Sequence, residues 1–124
     1  MMEHLTYIED NMIYNSDLTI YHKSLNDITK LEEWTRINFK NIWWFSSKNT
    51  TPSKGYEESN NVEIRIPYDL VKDETLIDVG DILVRGNINQ DITRQSDING
   101  EIYNIVTIKR NNFGTRPHIH ITGK

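Results

Sequence analysis

The sequence predicts an all-β protein, an antiparallel β-barrel or sandwich of six to seven short strands with a long loop and extended termini. Short segments in which apolar and polar residues alternate recur along the chain, which is the pattern of half-buried strands. Clusters of turn-forming residues separate these segments. The 124 residues include no alanine, the best helix former, and they use the β-branched residue isoleucine heavily.

The length is that of one domain. We expect an N-terminal arm over residues 1–16 and a single β-rich domain over residues 17–124. The apolar residues of the arm, which lie near helical spacing, are Leu5, Ile8, Met12 and Ile13. They predict a short helix that docks on a neighbour, and the polar cluster at residues 14–17 is interpreted as a turn or helix cap.

Two predicted strands and a long loop make up the first half of the domain. The first strand covers about residues 18–24, and the second is an aromatic stretch over residues 34–46. A break in its alternation at Lys40-Asn41 predicts a bulge or a tight turn. Residues 46–61 lack hydrophobic alternation and are rich in turn formers, so we predict a long exposed loop that becomes ordered against a partner.

The second half contains the remaining predicted strands, over residues 62–68, 82–85, 97–102, 103–108 and 117–122. Pro67 predicts that the first of these ends at a sheet edge, because proline cannot donate a backbone hydrogen bond. Asn99-Gly100 is the strongest two-residue hairpin signal in the chain. It predicts that the third and fourth of these strands pair with each other.

Composition excludes several classes of protein. With no cysteine, the chain has no disulfide, iron–sulfur cluster, cysteine-ligated zinc or thiol nucleophile. A net charge of -4 argues against broad binding to a phosphate backbone. The first residues lack the features of a secretory signal, and no apolar run approaches the roughly 20 residues of a membrane-spanning helix. We therefore expect a soluble product made in the cytosol.

The candidate chemical sites are weak. His118 and His120 would project from one face of a strand and form a possible metal chelate. A structural metal needs three or four ligands, so we interpret both as surface histidines. The aspartates that we interpret as turn residues, instead of calcium ligands or a carboxylate pair, are Asp78, Asp81, Asp91 and Asp97. The sequence has no nucleophile elbow and no phosphate-binding glycine motif, so we predict neither enzymatic activity nor a cofactor.

An aromatic cluster allows two interpretations. Its aromatic members are Trp34, Phe39, Trp43, Trp44 and Phe45, with Arg36 and Lys40 interleaved. Such a set suits a base-stacking platform of an oligonucleotide-binding barrel, or else the core and interface of an aromatic strand. The net negative charge of the chain favours the second interpretation, a core and interface. Because Trp43 and Trp44 are adjacent, they must face opposite sides of a strand, one in the core and one exposed or in an interface.

The order and spacing of several segments carry a family resemblance. These segments are residues 12–23, 62–68, 80–86, 103–108, 112–115 and 120–124. Together they resemble small head-closure or head–tail connector (neck) proteins of tailed phages and prophages of low-GC Gram-positive bacteria. The resemblance covers most of the chain from Met12 onward. In this sequence Ile121 or His120 replaces the aromatic residue that is usual near the C-terminal end of that group.

The resemblance implies a structural virion protein without catalytic residues or cofactor. It implies a ring of identical subunits in the neck of the virion, made in the bacterial cytoplasm, with portal, adaptor and tail or tail-terminator proteins as partners. Genomic DNA would pass through the ring as cargo, and no membrane would be involved. The segments expected to become ordered in neighbours are residues 1–16, residues 46–61 and the tail after Arg110.

Residues expected in the interfaces of such a ring are Leu5, Ile8, Trp43, Trp44, Lys54, Tyr56, Phe113, His118 and His120. Two alternatives stay open, and a metal-dependent enzyme, which would rest on His118 and His120 alone, ranks third. The first is a tail terminator or another tail component, which a similar β module would serve equally well. The second, from a different class, is a small barrel that binds single-stranded nucleic acid. The site of that barrel would contain Arg36, Lys40, Trp43 and Trp44.

Overall fold

The chain forms a closed antiparallel barrel of six strands. A computed structural model describes residues 14–50 and 58–124, with the backbone alone for 47–50 and 58–60. The strands are β1 (Ser16–Leu25), β2 (Glu32–Thr50), β3 (Glu58–Pro67), β4 (Ile82–Arg85), β5 (Tyr103–Asn111) and β6 (His118–Gly123). Around the barrel they follow the order β1-β2-β3-β6-β5-β4, and β4 pairs with β1 to close it. The predicted all-β class is confirmed, as a barrel.

The long strand β2 joins the two halves of the barrel. It pairs with β1 along its first half and with β3 along its second half. Between the two halves, residues 39–42 of β2 lie opposite residues 16–18 of β1, so β2 carries one extra residue. Asn41 adopts a left-handed φ of 61°, which accommodates the extra residue. Its backbone N–H donates to Asp17 Oδ1 at 3.2 Å. The bulge predicted at Lys40-Asn41 is confirmed.

Alternation along the strands divides the apolar residues between two cores. The barrel interior is filled by buried residues from all six strands and the segment before β4: Leu18, Ile20, Phe39, Ile42, Trp44, Val62, Ile64, Ile66, Ile77, Leu83, Ile105, Ile119 and Ile121. A second cluster contains Tyr21, Ile82, Val84 and Ile92, which belong to the other faces of β1 and β4 and to the segment after β4. We call residues 86–102 the covering segment, because its isoleucines pack on that outer face.

The strand predicted over residues 97–102 is wrong. A 3-10 helix, Gln95–Asp97, occupies its start, residues 98–102 form no strand, and β5 pairs with β4 and β6. Asp97 Oδ2 accepts hydrogen bonds from the backbone N–H groups of Thr93 and Arg94, at 3.0 and 3.3 Å. These local bonds satisfy the backbone without a ladder. Ile98 and Ile102, the isoleucines on either side of Asn99-Gly100, pack instead on the second cluster.

The loop predicted over residues 46–61 is mostly strand. The ladder between β2 and β3 continues from Ser46↔Val62 to Thr50↔Glu58. The connection is therefore residues 51–57, which lie outside the described residues. Backbone hydrogen bonds between strands do not require apolar side chains where the strands extend beyond the core. The polar sequence therefore gave no sign of these strand ends.

The barrel also begins earlier than predicted. The backbone N–H of Asn15 donates to Ile42 O at 3.0 Å, and the Asn15 side chain bonds both the N–H and the C=O of Trp44. β1 then starts at Ser16, so the turn or helix cap predicted over residues 14–17 is wrong. The helix predicted in the arm lies outside the described residues.

Candidate interaction surfaces

The β1–β2 hairpin ends in an exposed apolar cluster. Leu25, Ile28 and Leu31 have 60%, 90% and 66% of their surface exposed. We call these three residues the apolar tip. Scattered exposed aliphatic residues are common, but these three lie within seven residues at one end of a hairpin, and a group of exposed apolar residues is typical of an interaction site.

Asn26 holds the turn that carries the apolar tip. Its Oδ1 accepts hydrogen bonds from the backbone N–H groups of Ile28 and Thr29, at 2.9 and 3.0 Å. Its backbone N–H donates to Leu31 O, and its C=O accepts from Lys30 N–H, which closes the loop. Lys30 completes the turn with a left-handed φ of 63°. Because local hydrogen bonds already satisfy this backbone, the apolar tip is displayed on a preformed turn.

A buried carboxylate anchors the base of the same hairpin. Asp81, with 2% of its surface exposed, lies in the turn before β4. Its Oδ1 accepts from the backbone N–H of Lys23, and its Oδ2 accepts from Asp78 N–H and lies 2.9 Å from His22 Nδ1. With Asp81 as a carboxylate, His22 Nδ1 is the donor. Asp81 thus ties β1 to the turn and orients the hairpin on the barrel.

A groove follows the other edge of β2. Residues 36–39 form one wall, and residues 70–73 with Leu76 and Ile77 form the other, around a cavity of about 320 Å³. Among the described residues, no strand pairs with β2 on this side over residues 32–41. We call this feature the β2 groove. Its lining is apolar at Ile37, Leu70 and Val71, while Lys72 and Asp73 are exposed.

Arg36 and Asn38, also on this part of β2, make bonds elsewhere. Arg36 Nη1 and Asn38 Nδ2 both donate to Ile88 O at 3.0 Å, and Arg36 Nε lies 3.0 Å from Asp91 Oδ1. Asn38 also donates to Thr19 Oγ1 at 2.9 Å. These polar side chains therefore hold the covering segment against the barrel, and no residue that the structure describes covers the apolar lining of the groove.

An aromatic face lies on the outside of β2 and β3. The rings of Trp43 and Phe45 stack with centroids 5.8 Å apart, and the guanidinium of Arg65 lies 4.6 Å from the centroid of the Trp43 ring. Phe45 has 49% of its surface exposed. Arg65 Nε is buried without a hydrogen-bond partner among the described residues. The three side chains form a cation–aromatic stack that we call the aromatic face.

The adjacent residues Trp43 and Trp44 face opposite sides of β2, as predicted. Trp44 has 4% of its surface exposed and packs in the barrel core, edge-on to the Tyr103 ring at 5.9 Å. Trp43 faces outward. Trp44 therefore offers little surface to a partner, although its side chain lines a cavity beside Arg85. Trp44 and the ion-paired Arg36 likewise do not join Trp43 in the predicted nucleic-acid platform.

The β6 histidines have separate partners. His118 Nδ1 lies 3.0 Å from Arg116 O, and His120 Nε2 lies 3.1 Å from Glu63 Oε1. Both are half-buried on the outer face of β6. In the part of the chain that the structure describes, no group of three histidine or acidic side chains is placed to hold a metal ion.

The remaining residues predicted for the interfaces fall into two groups. Phe113, in the β5–β6 turn, has 74% of its surface exposed and is available for contact. The candidates that lie outside the described residues are Leu5, Ile8, Lys54 and Tyr56. Of the four aspartates, Asp78 and Asp81 precede β4, Asp91 lies in the covering segment, and Asp97 ends the 3-10 helix of that segment.

Sequence reasoning missed the apolar tip, the β2 groove and the role of Arg65. A signal for the tip was present, since Leu25, Ile28 and Leu31 are interspersed with polar residues that include the turn formers Asn26 and Asp27. Apolar residues inside a turn have no core to enter and point to a contact. The groove has no such signal, because its two walls are more than 30 residues apart in the chain.

These features define a class of protein, a small six-stranded closed barrel with an apolar hairpin tip and an aromatic outer face. The chain belongs to a family described as a family of unknown function (DUF6751), whose sequence model matches residues 13–124. No curated protein and no solved structure matches the chain. Across the described residues, no helix has the length and apolar character to span a membrane.

Proposed function

We propose that the protein is a structural, non-enzymatic subunit of the neck of a tailed phage. It forms a homo-oligomeric ring that joins the portal and adaptor to the tail and lets DNA pass. The observation that carries this proposal is the apolar tip, because Leu25, Ile28 and Leu31 are 60–90% exposed on a preformed turn. Burying each such side chain in a partner is favourable by about 1.5–3 kcal/mol. An assembly subunit needs such a contact.

Two further observations support an assembly role. Phe113, at the β5–β6 turn, and Phe45, on the aromatic face, place exposed aromatic rings at separate positions on the barrel. Aromatic residues are enriched in protein–protein interfaces, and a ring subunit needs at least two contact patches. The net charge of -4 suits a conduit for DNA, because an acidic surface does not retain phosphates. The resemblance in segment order supplies the specific role in the neck.

Averaged electron microscopy of purified phage particles tests this proposal. We expect density for the chain as a symmetric ring between the portal and the first tail ring, with the apolar tip in contact with a neighbouring chain. Absence of the chain from mature particles would contradict the structural assignment. A ring at the tail end of the neck, on the last ring of tail-tube protein, would favour the tail-terminator alternative.

A variant test links the apolar tip to assembly. Phages that carry Ile28→Glu are expected to lose most of their infectivity and to accumulate separated heads and tails, because a buried carboxylate opposes docking. Val79→Glu is the matched control, since Val79 is also an exposed aliphatic residue, at 59%, but lies in the turn before β4. Equal infectivity of the Ile28→Glu phage and wild type would remove the observation on which the proposal rests.

The aromatic face favours a second candidate function, a barrel that binds single-stranded nucleic acid. A tryptophan stacked on a phenylalanine, beside an arginine, is an arrangement that stacks bases. Under this alternative, purified protein would bind an oligothymidylate with an affinity that falls steeply with salt. The binding would be lost in Trp43→Ala and kept in Ile28→Glu. Absence of binding at low salt would exclude it.

A further inference from the structure

We propose that the apolar tip of one copy docks in the β2 groove of a second copy, so that the ring is built by one repeated head-to-tail contact. This inference rests on the ring of the proposed function, and it names the contact that forms that ring. It is carried by the exposed apolar tip, the unoccupied groove and the charges that flank each of them.

The tip and the groove of one chain do not meet. Arg36 of the groove lies in β2, five residues after Leu31 of the tip. At about 3.3 Å per residue, an extended strand separates them by roughly 17 Å. β1 and β2 are paired up to Leu25↔Glu32, so the hairpin does not fold back on itself. None of the residues that the structure describes fills the groove, and we assign its occupant to a second copy of the chain.

The two surfaces match in apolar character. Ile28 stands at the point of the tip with 90% of its surface exposed. The groove offers a cavity of about 320 Å³, with Ile37, Leu70 and Val71 among its lining residues, and Leu70 is 38% exposed. A preformed turn that enters a preformed groove loses little conformational freedom on binding, which favours the association.

The charges beside the two surfaces are complementary. Asp27 and Lys30 flank Ile28 on the tip, and both are exposed. Lys72 and Asp73 stand side by side on the wall of the groove, and both are exposed. Arg36 also lines the groove but is paired with Asp91, so each surface presents an acid and a base beside its apolar residues. Pairing Asp27 with Lys72 and Lys30 with Asp73 would select one orientation of the tip in the groove.

The symmetry of the contact follows from its two unlike surfaces. A tip that binds a groove leaves the groove of the first copy and the tip of the second copy free for further copies. Such a heterologous contact produces a closed ring when its rotation closes. A contact between two tips would instead stop at a dimer. The arrangement of tip and groove on one chain therefore favours rings.

Cysteine cross-linking of the full chain tests the inference, because the natural sequence has no cysteine. Ile28→Cys and Leu70→Cys are made separately and together, and oxidised in a glutathione buffer at high protein concentration. Equal mixing of the single variants is expected to yield a disulfide between positions 28 and 70, identified by mass spectrometry. The double variant is expected to give a ladder of higher oligomers on a non-reducing gel. Ile28→Cys mixed with Val106→Cys is the matched control, since Val106 of β5 is an exposed aliphatic residue outside the tip and the groove.

The outcomes separate this inference from the proposed function. A cross-link between positions 28 and 70 at least five-fold above the control supports the contact. Disulfides between two copies of Ile28→Cys, or no excess over the control, would overturn it. In either case the ring seen in particles decides the proposed function independently, because a ring built by another contact keeps that function while this inference fails.

Exchange of charge provides a second test. Asp27→Lys or Lys72→Asp alone is expected to lower the yield of the 28–70 cross-link at least three-fold, since each places like charges together. The two substitutions combined restore the opposite pairing and are expected to recover most of the yield. Equal yields in the two single variants and the parent would refute the assigned orientation.

Discussion

Asp81 shows how one side chain can determine the geometry of a distant element. Asp81 and Thr19 are the polar side chains that are buried in the described part of the chain. Thr19 Oγ1 donates to Gly86 O and accepts from Ile88 N–H and Asn38 Nδ2, so it fastens the covering segment. Asp81 performs the same task for the base of the β1–β2 hairpin. Both are polar residues with all their bonds made, which makes their removal costly.

We predict that Asp81→Ala lowers the free energy of unfolding by about 3 kcal/mol, because it leaves two backbone N–H groups and His22 without their acceptor. Urea unfolding measures the loss. Asp78→Ala is the matched control, since Asp78 is exposed and its side chain accepts from the adjacent Val79 N–H. A change below 0.5 kcal/mol in the Asp81 variant would contradict the anchoring role.

Asp97 illustrates an exposed carboxylate whose titration reports local structure. Hydrogen bonds from the backbone and the hydroxyl of Thr93 hold the pKa of Asp97 below its ordinary value. A lowered carboxyl pKa contributes stability that is present above the unfolded-state pKa and is lost as pH falls through the folded-state pKa. The turn of the covering segment should therefore weaken in acid.

We predict that Thr93→Ala raises the pKa of Asp97 part of the way toward its ordinary value, because the hydroxyl donor is lost while the backbone donor remains. Nuclear magnetic resonance titration of the side-chain carboxyl measures the shift. Asp73, whose pKa is lowered by Thr75, is an internal control that should titrate as in wild type. An unchanged Asp97 titration would show that the hydroxyl does not stabilise the carboxylate.

Among the elements, β2 is the strand that joins the two halves of the barrel. Its 19 residues belong to both halves of the barrel, and the strand changes partner at the Asn41 bulge. The bulge shifts the alternation by one residue, which sends Phe39 and Ile42 to the same core. Without it, one half of β2 would turn its apolar residues to solvent.

We predict that Asn41→Val destabilises the protein by about 1–2 kcal/mol, since a β-branched residue is strained at a φ of 61°. Asn41→Gly should stay within about 0.5 kcal/mol of wild type, because glycine adopts this conformation freely. Lys40→Val is the matched control, an exposed β2 position without positive φ, where valine suits a strand. Thermal unfolding of the three variants checks the order. Equal stability of the two valine variants would contradict strain at position 41.

For the molecule as a whole, the barrel interior is closely packed around Gly123. Gly123 is buried where β6 lies between Val62 of β3 and Ile105 of β5. A Cβ at this position would lie 2.7 Å from Leu83 Cδ1 and 3.1 Å from Val62 Cγ2. The absence of a side chain at position 123 therefore lets Leu83 of β4 reach across the interior of the barrel.

We predict that Gly123→Ala lowers the free energy of unfolding by about 1–3 kcal/mol through overpacking. Leu83→Val removes bulk on the other side of the contact, so the double variant should be more stable than the sum of the two single changes predicts. Urea unfolding of the four proteins of this cycle provides the measurement. Strict additivity would show that the two side chains do not compete for the same space.

Local patterns in the sequence predicted much of this fold for physical reasons. The strands around Leu18, Ile64, Leu83 and Ile119 have alternating or compact apolar residues, because each lies over the barrel core. The bulge was visible as a break in that alternation. The opposite orientation of Trp43 and Trp44 follows from the two-residue period of a strand and needed no tertiary information.

Tertiary structure decided the features that depend on residues far apart in the chain. The ends of β2 and β3 are polar because they pair beyond the core, and Ile98 and Ile102 pack on the outside of the barrel through the covering segment. Neither the polar strand ends nor these two isoleucines produce a periodic pattern in the sequence. The β2 groove and the anchor at Asp81 likewise join segments that are distant in sequence. Periodicity reports the environment of one strand at a time, whereas closure, grooves and interaction surfaces arise only when separate strands are brought together.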